Sequence, residues 1–196
     1  MAVEIERKFL VLDDRWRRLA SKGSALHQAY LVATKGKTVR IRTIDGRRAT
    51  LTVKIRSSRN RREEYEYDIP YTDAKEMFEH AQGVLQKTRF EVHHQGYTWE
   101  VDVYSGQHRG LVVAEVELEG VDDTPPLPDW LGAEVTGNPL YSNRVLAKGR
   151  IAPTNATARL RIPRYTCISS TKNSGRKPAK STFSSLEANQ DGAEET

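Results

Sequence analysis

The chain has 196 residues and a net charge of +5, from 31 lysines and arginines against 26 aspartates and glutamates. This length suits one domain with an added tail. The single cysteine, Cys167, excludes an intramolecular disulfide and a thiolate zinc site. No stretch approaches the roughly 20 apolar residues that span a bilayer, and the first residues are too charged for a secretory leader, so we expect a cytoplasmic protein.

The charge is distributed unevenly along the chain. Residues 1–62 carry 17 basic and 5 acidic side chains, whereas residues 63–152 carry 7 basic and 17 acidic ones. The basic part suits phosphate groups, but the acidic part would repel a nucleic-acid backbone. An arrangement that suits both parts binds a small phosphate-rich anion together with divalent cations. We therefore expect a small-molecule partner in preference to a nucleic acid, depending on where the charges point, and no membrane partner.

Strands are predicted along most of residues 3–119, because charged and apolar residues alternate there with a period of two. The step Asp45-Gly46 predicts a tight hairpin turn between two of them. Seven segments show the alternation: residues 3–11, 39–43, 51–56, 64–68, 87–92, 99–103 and 115–119.

Helices are predicted to be few and peripheral, over residues 13–21, 72–85 and 140–147. The longest would begin with Thr72 or Asp73 as its N-cap. Its apolar stripe would comprise Met77, Phe78, Ala81 and Leu85.

A change of composition marks the end of the predicted domain. From about Pro153 onward, polar residues dominate and no periodicity remains. We therefore expect one domain over residues 1–150 and a disordered tail over residues 151–196.

The charged faces of the predicted strands are nearly all acidic or all basic. Like charges two residues apart on one face repel each other, so such strands are poorly suited to stand alone in water. A closed or nearly closed barrel would bring these faces together inside, with helices covering the apolar faces from outside. A cavity lined in this way must hold water, divalent cations and a highly charged anion, because unpaired buried charge is costly.

The segment Glu4-Ile5-Glu6-Arg7-Lys8 resembles the E-x-E-x-K signature of the CYTH, or triphosphate tunnel metalloenzyme, superfamily. The resemblance covers residues 3–149 and implies a mainly β fold: an eight-stranded antiparallel β-barrel tunnel with a charged interior and a few peripheral helices. Further matching motifs follow in order: His27-Gln28-Ala29-Tyr30-Leu31, Arg40-x-Arg42, Thr52-Val53-Lys54, Glu64-Tyr65-Glu66, Lys87-Thr88-Arg89, Glu100-Val101-Asp102-Val103, Glu115-Val116-Glu117 and Asn143-Arg144-x-Leu146-Ala147.

The resemblance also implies roles for the charged residues. The basic residues that would bind the substrate phosphates are Lys8, Arg40, Arg42, Lys54 and Arg89. Mg²⁺ or Mn²⁺, which prefer oxygen ligands, would be bound by Glu4, Glu6, Glu115 and Glu117. The supporting acidic residues would be Glu64, Glu66 and Asp102.

In the inorganic-triphosphatase branch of this superfamily, a lysine and a tyrosine form a catalytic dyad. Lys87 and Tyr30 match those positions in Lys-Thr-Arg and Gln-Ala-Tyr. Arg89 shares a strand face with Lys87 and would favour loss of its proton. The match therefore implies a metal-dependent hydrolase of inorganic triphosphate that yields pyrophosphate and phosphate.

Two alternatives remain open on sequence grounds. An enzyme of the same fold could act on an organic triphosphate, as a thiamine triphosphatase, a nucleoside triphosphatase or a class IV adenylyl cyclase. A non-catalytic module could instead bind polyphosphate or RNA through its basic part.

Overall fold

A computed structural model of the chain describes residues 5–56 and 62–149. The chain divides into two units, residues 1–162 and 163–196, and the described residues all belong to the first. Glu4 and the tail expected over residues 151–196 lie outside the described residues. Among the helices that are described, none is long and apolar enough to cross a membrane.

The described residues form one antiparallel sheet accompanied by short helices. Its strands are β1 (Ile5–Val11), β2 (Ser24–Ala33), β3 (Lys37–Ile44), β4 (Arg48–Arg56), β5 (Arg62–Ile69), β6 (Val84–His94), β7 (Tyr97–Tyr104), β8 (Val112–Leu118) and β9 (Leu131–Glu134). The α-helices are α1 (Tyr71–Glu79) and α2 (Asn143–Ala147). Single 3-10 turns occur at Asp14–Arg18, Gly106–His108 and Pro139–Tyr141.

The strands pair in the order β5-β4-β3-β2-β6-β7-β8-β1-β9, so β6 returns to pair with β2, and β1 pairs with both β8 and β9. The mainly β fold with a charged interior is confirmed, because side chains from seven of these strands line one cavity. Within the described residues the sheet has nine strands, one more than the resemblance implied, and its hydrogen-bonded ladder ends at β5 and β9.

The alternation along each strand separates a charged inner face from an apolar outer face. In β7, Trp99 and Val101 are fully buried in an apolar cluster, while Glu100 and Asp102 point to the opposite side. Successive residues of a strand point to opposite faces. The period of two in the sequence therefore determined which side chains reach the interior.

Aromatic residues cover the outer face, as expected for peripheral elements. Trp16, from the first 3-10 turn, is fully buried with its ring 5.2 Å from that of Phe90 in an edge-on arrangement. Trp130 packs in the same manner on Trp99, at 6.0 Å. Beside β3 and β4, α1 buries Ala74 in another apolar cluster. These contacts hold the strands in a curved arrangement from outside.

All three predicted helices are shorter in the structure than the sequence pattern indicated. The one expected over residues 140–147 is α2 (Asn143–Ala147), preceded by the 3-10 turn Pro139–Tyr141. The helix expected over residues 72–85 ends at Glu79, and no side chain caps its N-terminus, where Pro70 stands at the N-cap. Leu85 belongs instead to β6 and is buried in the core, because the chain must return there to pair with β2. The helix expected over residues 13–21 is the 3-10 turn Asp14–Arg18.

The sequence pattern missed two strands. β2 carries no alternation of charge, because Gln28, Ala29 and Tyr30 are buried in succession between β3 and β6. A strand buried on both faces does not show a period of two. The four residues of β9 are too few for a periodic signal.

One end of the interior is filled by α2 and the residues around it. Leu146 and Ala147 pack with Tyr30, Leu85 and Tyr104 in an apolar cluster. Gly83 lies directly against this helix, and a Cβ atom there would stand 2.0 Å from the carbonyl oxygen of Ala147. The approach of α2 to the sheet therefore requires glycine at position 83.

We expect the substitution Gly83→Ala to lower the free energy of unfolding by about 1–3 kcal/mol, the usual cost of overpacking a core. Gly36→Ala is the matched control, since a Cβ there meets no atom within 4 Å, and it should change stability by less than about 0.5 kcal/mol. Urea titration of the three proteins measures the difference. Equal stability of the two variants would contradict this account of how α2 is positioned.

Candidate active site

The inner face of the sheet encloses a cavity of about 340 Å³. Its lining is almost entirely polar and combines five cationic with six acidic side chains. These lining residues are Glu6, Lys8, Arg40, Arg42, Lys54, Glu64, Glu66, Arg89, Glu100, Glu115, Glu117, Ser142 and Asn143. Ten of them are residues that the sequence predicted for the site, so residues far apart in the chain converge there.

One wall of the cavity comes from β3, β4 and β5. The Arg40 Nη2 donates to Thr52 Oγ1 at 3.0 Å, and the Thr52 hydroxyl donates to Glu66 Oε2 at 2.7 Å. Further along, the Lys54 ammonium lies 2.7 Å from Glu64 Oε2. The acidic side chains thus hold the cations of this wall in fixed orientations toward the cavity.

The opposite wall comes from β1 and β8. The Lys8 ammonium lies 2.8 Å from Glu115 Oε1 and 3.4 Å from Glu6 Oε1. Burial by itself lowers the pKa of Lys8, but the two carboxylates outweigh it, so the net shift is upward. Lys8 therefore stays charged at neutral pH and presents a fixed positive charge to the cavity.

A buried ion cluster supports Arg89 from behind. The carboxylate of Asp102 accepts from Arg89 Nε at 2.8 Å and from Arg89 Nη2 at 2.7 Å, and it also accepts from the Lys87 ammonium. The remaining donors of Arg89 contact Glu100 and Glu115. This fork-like pairing fixes the guanidinium plane at the cavity surface.

The side chains of Lys87 and Asp102 are both fully buried in this cluster. Burial lowers the pKa of Lys87 to about 8, against the opposing effect of Asp102. Burial would raise the pKa of Asp102, but Lys87 and Arg89 outweigh it and hold that pKa at about 2. Neither side chain borders the cavity.

Tyr30 lies just behind the cavity lining, packed against α2. Burial raises the pKa of its phenol, even though the charges of Arg40, Arg42, Lys54 and Lys8 act in the opposite direction. The influence of these four cations places the Tyr30 hydroxyl within the electrostatic reach of the cavity, and the phenol stays protonated at neutral pH.

Three residues line the cavity without having been assigned a role from the sequence. Glu100 pairs with Arg89, and it could have been found because it shares the inner face of β7 with Asp102. Ser142 and Asn143 come from the start of α2. Asn143 stands in one of the matching motifs, but only the packing of α2 against the end of the sheet brings it to the cavity.

The carboxylates offer oxygen ligands of the kind that Mg²⁺ and Mn²⁺ prefer. Glu6 and Glu117 face each other directly across β1 and β8, and both line the cavity. Two opposed carboxylates repel unless a cation lies between them. No three metal-binding side chains converge at one point within residues 5–56 and 62–149. This set suits an ion that retains several waters and also binds substrate oxygens.

Comparison with known proteins places these features in a family. The CYTH domain family matches residues 2–143. An inorganic triphosphatase of Acetivibrio thermocellus is 43% identical over 150 residues, covering 76% of this chain and 95% of that protein. An inorganic triphosphatase of Nitrosomonas europaea is 33% identical over 149 residues, covering 74% of this chain and 96% of that protein.

A solved structure shares the architecture. The crystal structure of the inorganic triphosphatase NE1496 aligns with a TM-score of 0.57 and 29% identity, covering 78% of this chain and 99% of that one. The family match includes every strand that lines the cavity. The similarity thus extends over the domain that builds the site, and the chain belongs to the CYTH domain family.

Proposed function

We propose that this protein is a metal-dependent hydrolase of inorganic triphosphate, which it converts to pyrophosphate and phosphate. The observation that carries the proposal is the cavity itself, in which five cationic side chains and opposed carboxylates share one enclosed space of about 340 Å³. Two relatives that are named inorganic triphosphatases support it, since they align with this chain over nearly their whole length.

Phosphate binding falls to the cations of the lining. Arginine offers a planar pair of donors to phosphoryl oxygens, and lysine offers a compact charge. The substrate would be held by Lys8, Arg40, Arg42, Lys54 and Arg89. Because carboxylate partners already fix Lys8, Arg40, Lys54 and Arg89, little reorganisation of these four is needed as negative charge shifts on the phosphoryl group during hydrolysis.

The metal ion would be bound by Glu6, Glu117 and Glu115, together with Glu4, which lies outside the described residues. When bound, Mg²⁺ or Mn²⁺ supplies charge neutralisation at phosphoryl oxygens and lowers the pKa of a coordinated water. Glu64 and Glu66 hold Lys54 and Arg40 toward the cavity, so they act on the phosphate through those cations.

The position of Lys87 indicates a supporting role in place of the catalytic one that the sequence match implied. Its ammonium is fully buried against Asp102 and does not border the cavity. Lys54 borders the cavity and its charge acts on Tyr30. We therefore assign the lysine of the dyad to Lys54, with the protonated Tyr30 as a hydrogen-bond donor.

The choice of substrate is tested by parallel hydrolysis assays with tripolyphosphate, ATP and thiamine triphosphate, each with Mg²⁺ or Mn²⁺. We expect tripolyphosphate to have the highest kcat/KM, and chelation of the metal to abolish turnover. Tripolyphosphate as the poorest substrate would favour an organic-triphosphate enzyme. A protein without turnover whose binding of polyphosphate survives the chelator would favour the non-catalytic module.

The same substitution made at each lysine distinguishes the roles of Lys54 and Lys87. We expect Lys54→Met to lower kcat at least 100-fold, the usual effect of removing a charge-stabilising donor from an active site. Lys87→Met should lower kcat by less than about 10-fold, because Asp102 keeps its two hydrogen bonds to Arg89. Steady-state kinetics of both variants measure the two losses of kcat. A larger loss in Lys87→Met would contradict this assignment and would support Lys87 as the catalytic lysine.

Asp102 is expected to be essential for stability, because without it Lys87 and Arg89 are buried cations with no shared carboxylate. Asp102→Asn should lower the free energy of unfolding by about 3–5 kcal/mol at pH 7. Asp102 stays ionised in the folded state down to about pH 2, below its ordinary pKa of 3.8. Its stabilisation is therefore present above pH 3.8 and lost as the pH falls toward 2.

Urea titrations of the wild type and the Asp102→Asn variant at several pH values measure this contribution. The difference in stability should be constant from pH 7 to about pH 5 and should narrow between pH 4 and pH 2. A difference that does not change over that acidic range would show that the Asp102 carboxylate is not the origin of the stabilisation.

A further inference from the structure

Gln28 is a polar residue of a matching motif to which the proposed mechanism gives no role. Its side chain is fully buried, with 0% exposure. Both the nitrogen and the oxygen of its amide lack a hydrogen-bond partner among the described residues. Buried amides in proteins are almost always hydrogen-bonded, so this one indicates a missing partner.

The pairing of the strands places Gln28 beside a phosphate-binding residue. Gln28 of β2 lies directly opposite Arg42 of β3, which lies directly opposite Thr50 of β4. Residues directly opposite each other project to the same face of a sheet. Since Arg42 lines the cavity, all three side chains lie on the cavity side. We call these three residues the Gln28 row.

Every member of the Gln28 row has a buried polar atom without a partner among the described residues. Besides the Gln28 amide, these atoms are the Arg42 Nε and the Thr50 Oγ1. In the adjacent row the Thr52 hydroxyl accepts from Arg40 and donates to Glu66, although the Arg40 Nε also lacks a partner among the described residues. The Gln28 row offers N–H and O–H donors and one amide oxygen acceptor beside Arg42.

The charges around Arg42 indicate that the missing partner is negatively charged. The pKa of Arg42 is lowered to about 10, mainly by burial and further by the charges of Arg40 and Arg89. Glu66 and Asp102 raise this pKa but offset the lowering only in part. A buried guanidinium in such surroundings favours an anion. A neutral water could satisfy the hydrogen bonds of the Gln28 row, but it would not offset the repulsion that Arg40 and Arg89 exert on Arg42.

We propose that the Gln28 row is a subsite for the terminal phosphoryl group of the substrate, in which Arg42 borders the cavity and Gln28 and Thr50 lie buried behind it. Phosphoryl oxygens would accept from the Gln28 amide, the Arg42 Nε and the Thr50 hydroxyl. The Gln28 carbonyl oxygen would accept from a terminal phosphoryl oxygen when that oxygen carries a proton, whereas the more acidic middle phosphoryl group of triphosphate carries none. This inference rests on the proposed triphosphatase function and adds Gln28 and Thr50 to its binding residues.

The test combines Gln28→Met, which keeps length without hydrogen-bonding groups, with Thr50→Val, which keeps shape. Calorimetric titration with tripolyphosphate and with inorganic phosphate measures affinity, and thermal melting without ligand measures stability. We expect each variant to bind both anions at least 10-fold more weakly. The melting temperature of each should equal or exceed that of the wild type, because an unpaired buried polar group is removed.

Thr52→Val is the matched control for stability, because its buried hydroxyl is satisfied, and its melting temperature should fall. If the Gln28 row only holds a buried water, Gln28→Met and Thr50→Val will lower the melting temperature as Thr52→Val does, or will bind the anions unchanged. Either result overturns the subsite. A wild-type protein that neither binds nor hydrolyses tripolyphosphate overturns the proposed function instead, so the two failures are distinguishable.

Discussion

The pairing of charges inside the sheet is the constraint on which the rest of this structure depends. An ionised side chain buried inside the sheet is stable only near an opposite charge or a ligand. The strand register meets this requirement by placing Lys8 opposite Glu115, Lys54 opposite Glu64 and Arg89 opposite Asp102. The apolar outer face, covered by Trp16 and other aromatic residues, keeps that register in place.

Two places inside the sheet bring like charges together, and both relate to the proposed reaction. Glu6 and Glu117 oppose each other across β1 and β8, which suits a divalent cation. On the other side, Arg42 lies among further cations and beside unsatisfied polar groups, which suits an anion. These two places are where the proposed triphosphatase would bind its metal ion and its phosphate chain.

Much of the fold and of the site could be predicted from the order of the residues alone. The period of two identified the strands that carry Glu6, Arg40, Glu66 and Glu115, and the family resemblance is confirmed. The failures have physical causes. The helix predicted over residues 72–85 includes residues that the sheet requires as a strand, since tertiary pairing outweighs local preference. β2 was missed because burial on both faces removes the alternation.

The chain's own sequence determined which face of each strand is charged, because side-chain direction in a strand follows from position alone. It did not determine how deeply each charged side chain is buried. Lys87 and Lys54 are both lysines on inner faces, yet Lys87 is sealed behind Asp102 and Lys54 borders the cavity. The depth at which each side chain is buried depends on which strands become neighbours and on the packing of α2 against Gly83. Both are set by contacts between residues that are distant in sequence. Only the tertiary structure could therefore distinguish the charged side chains that border the cavity from those buried behind it.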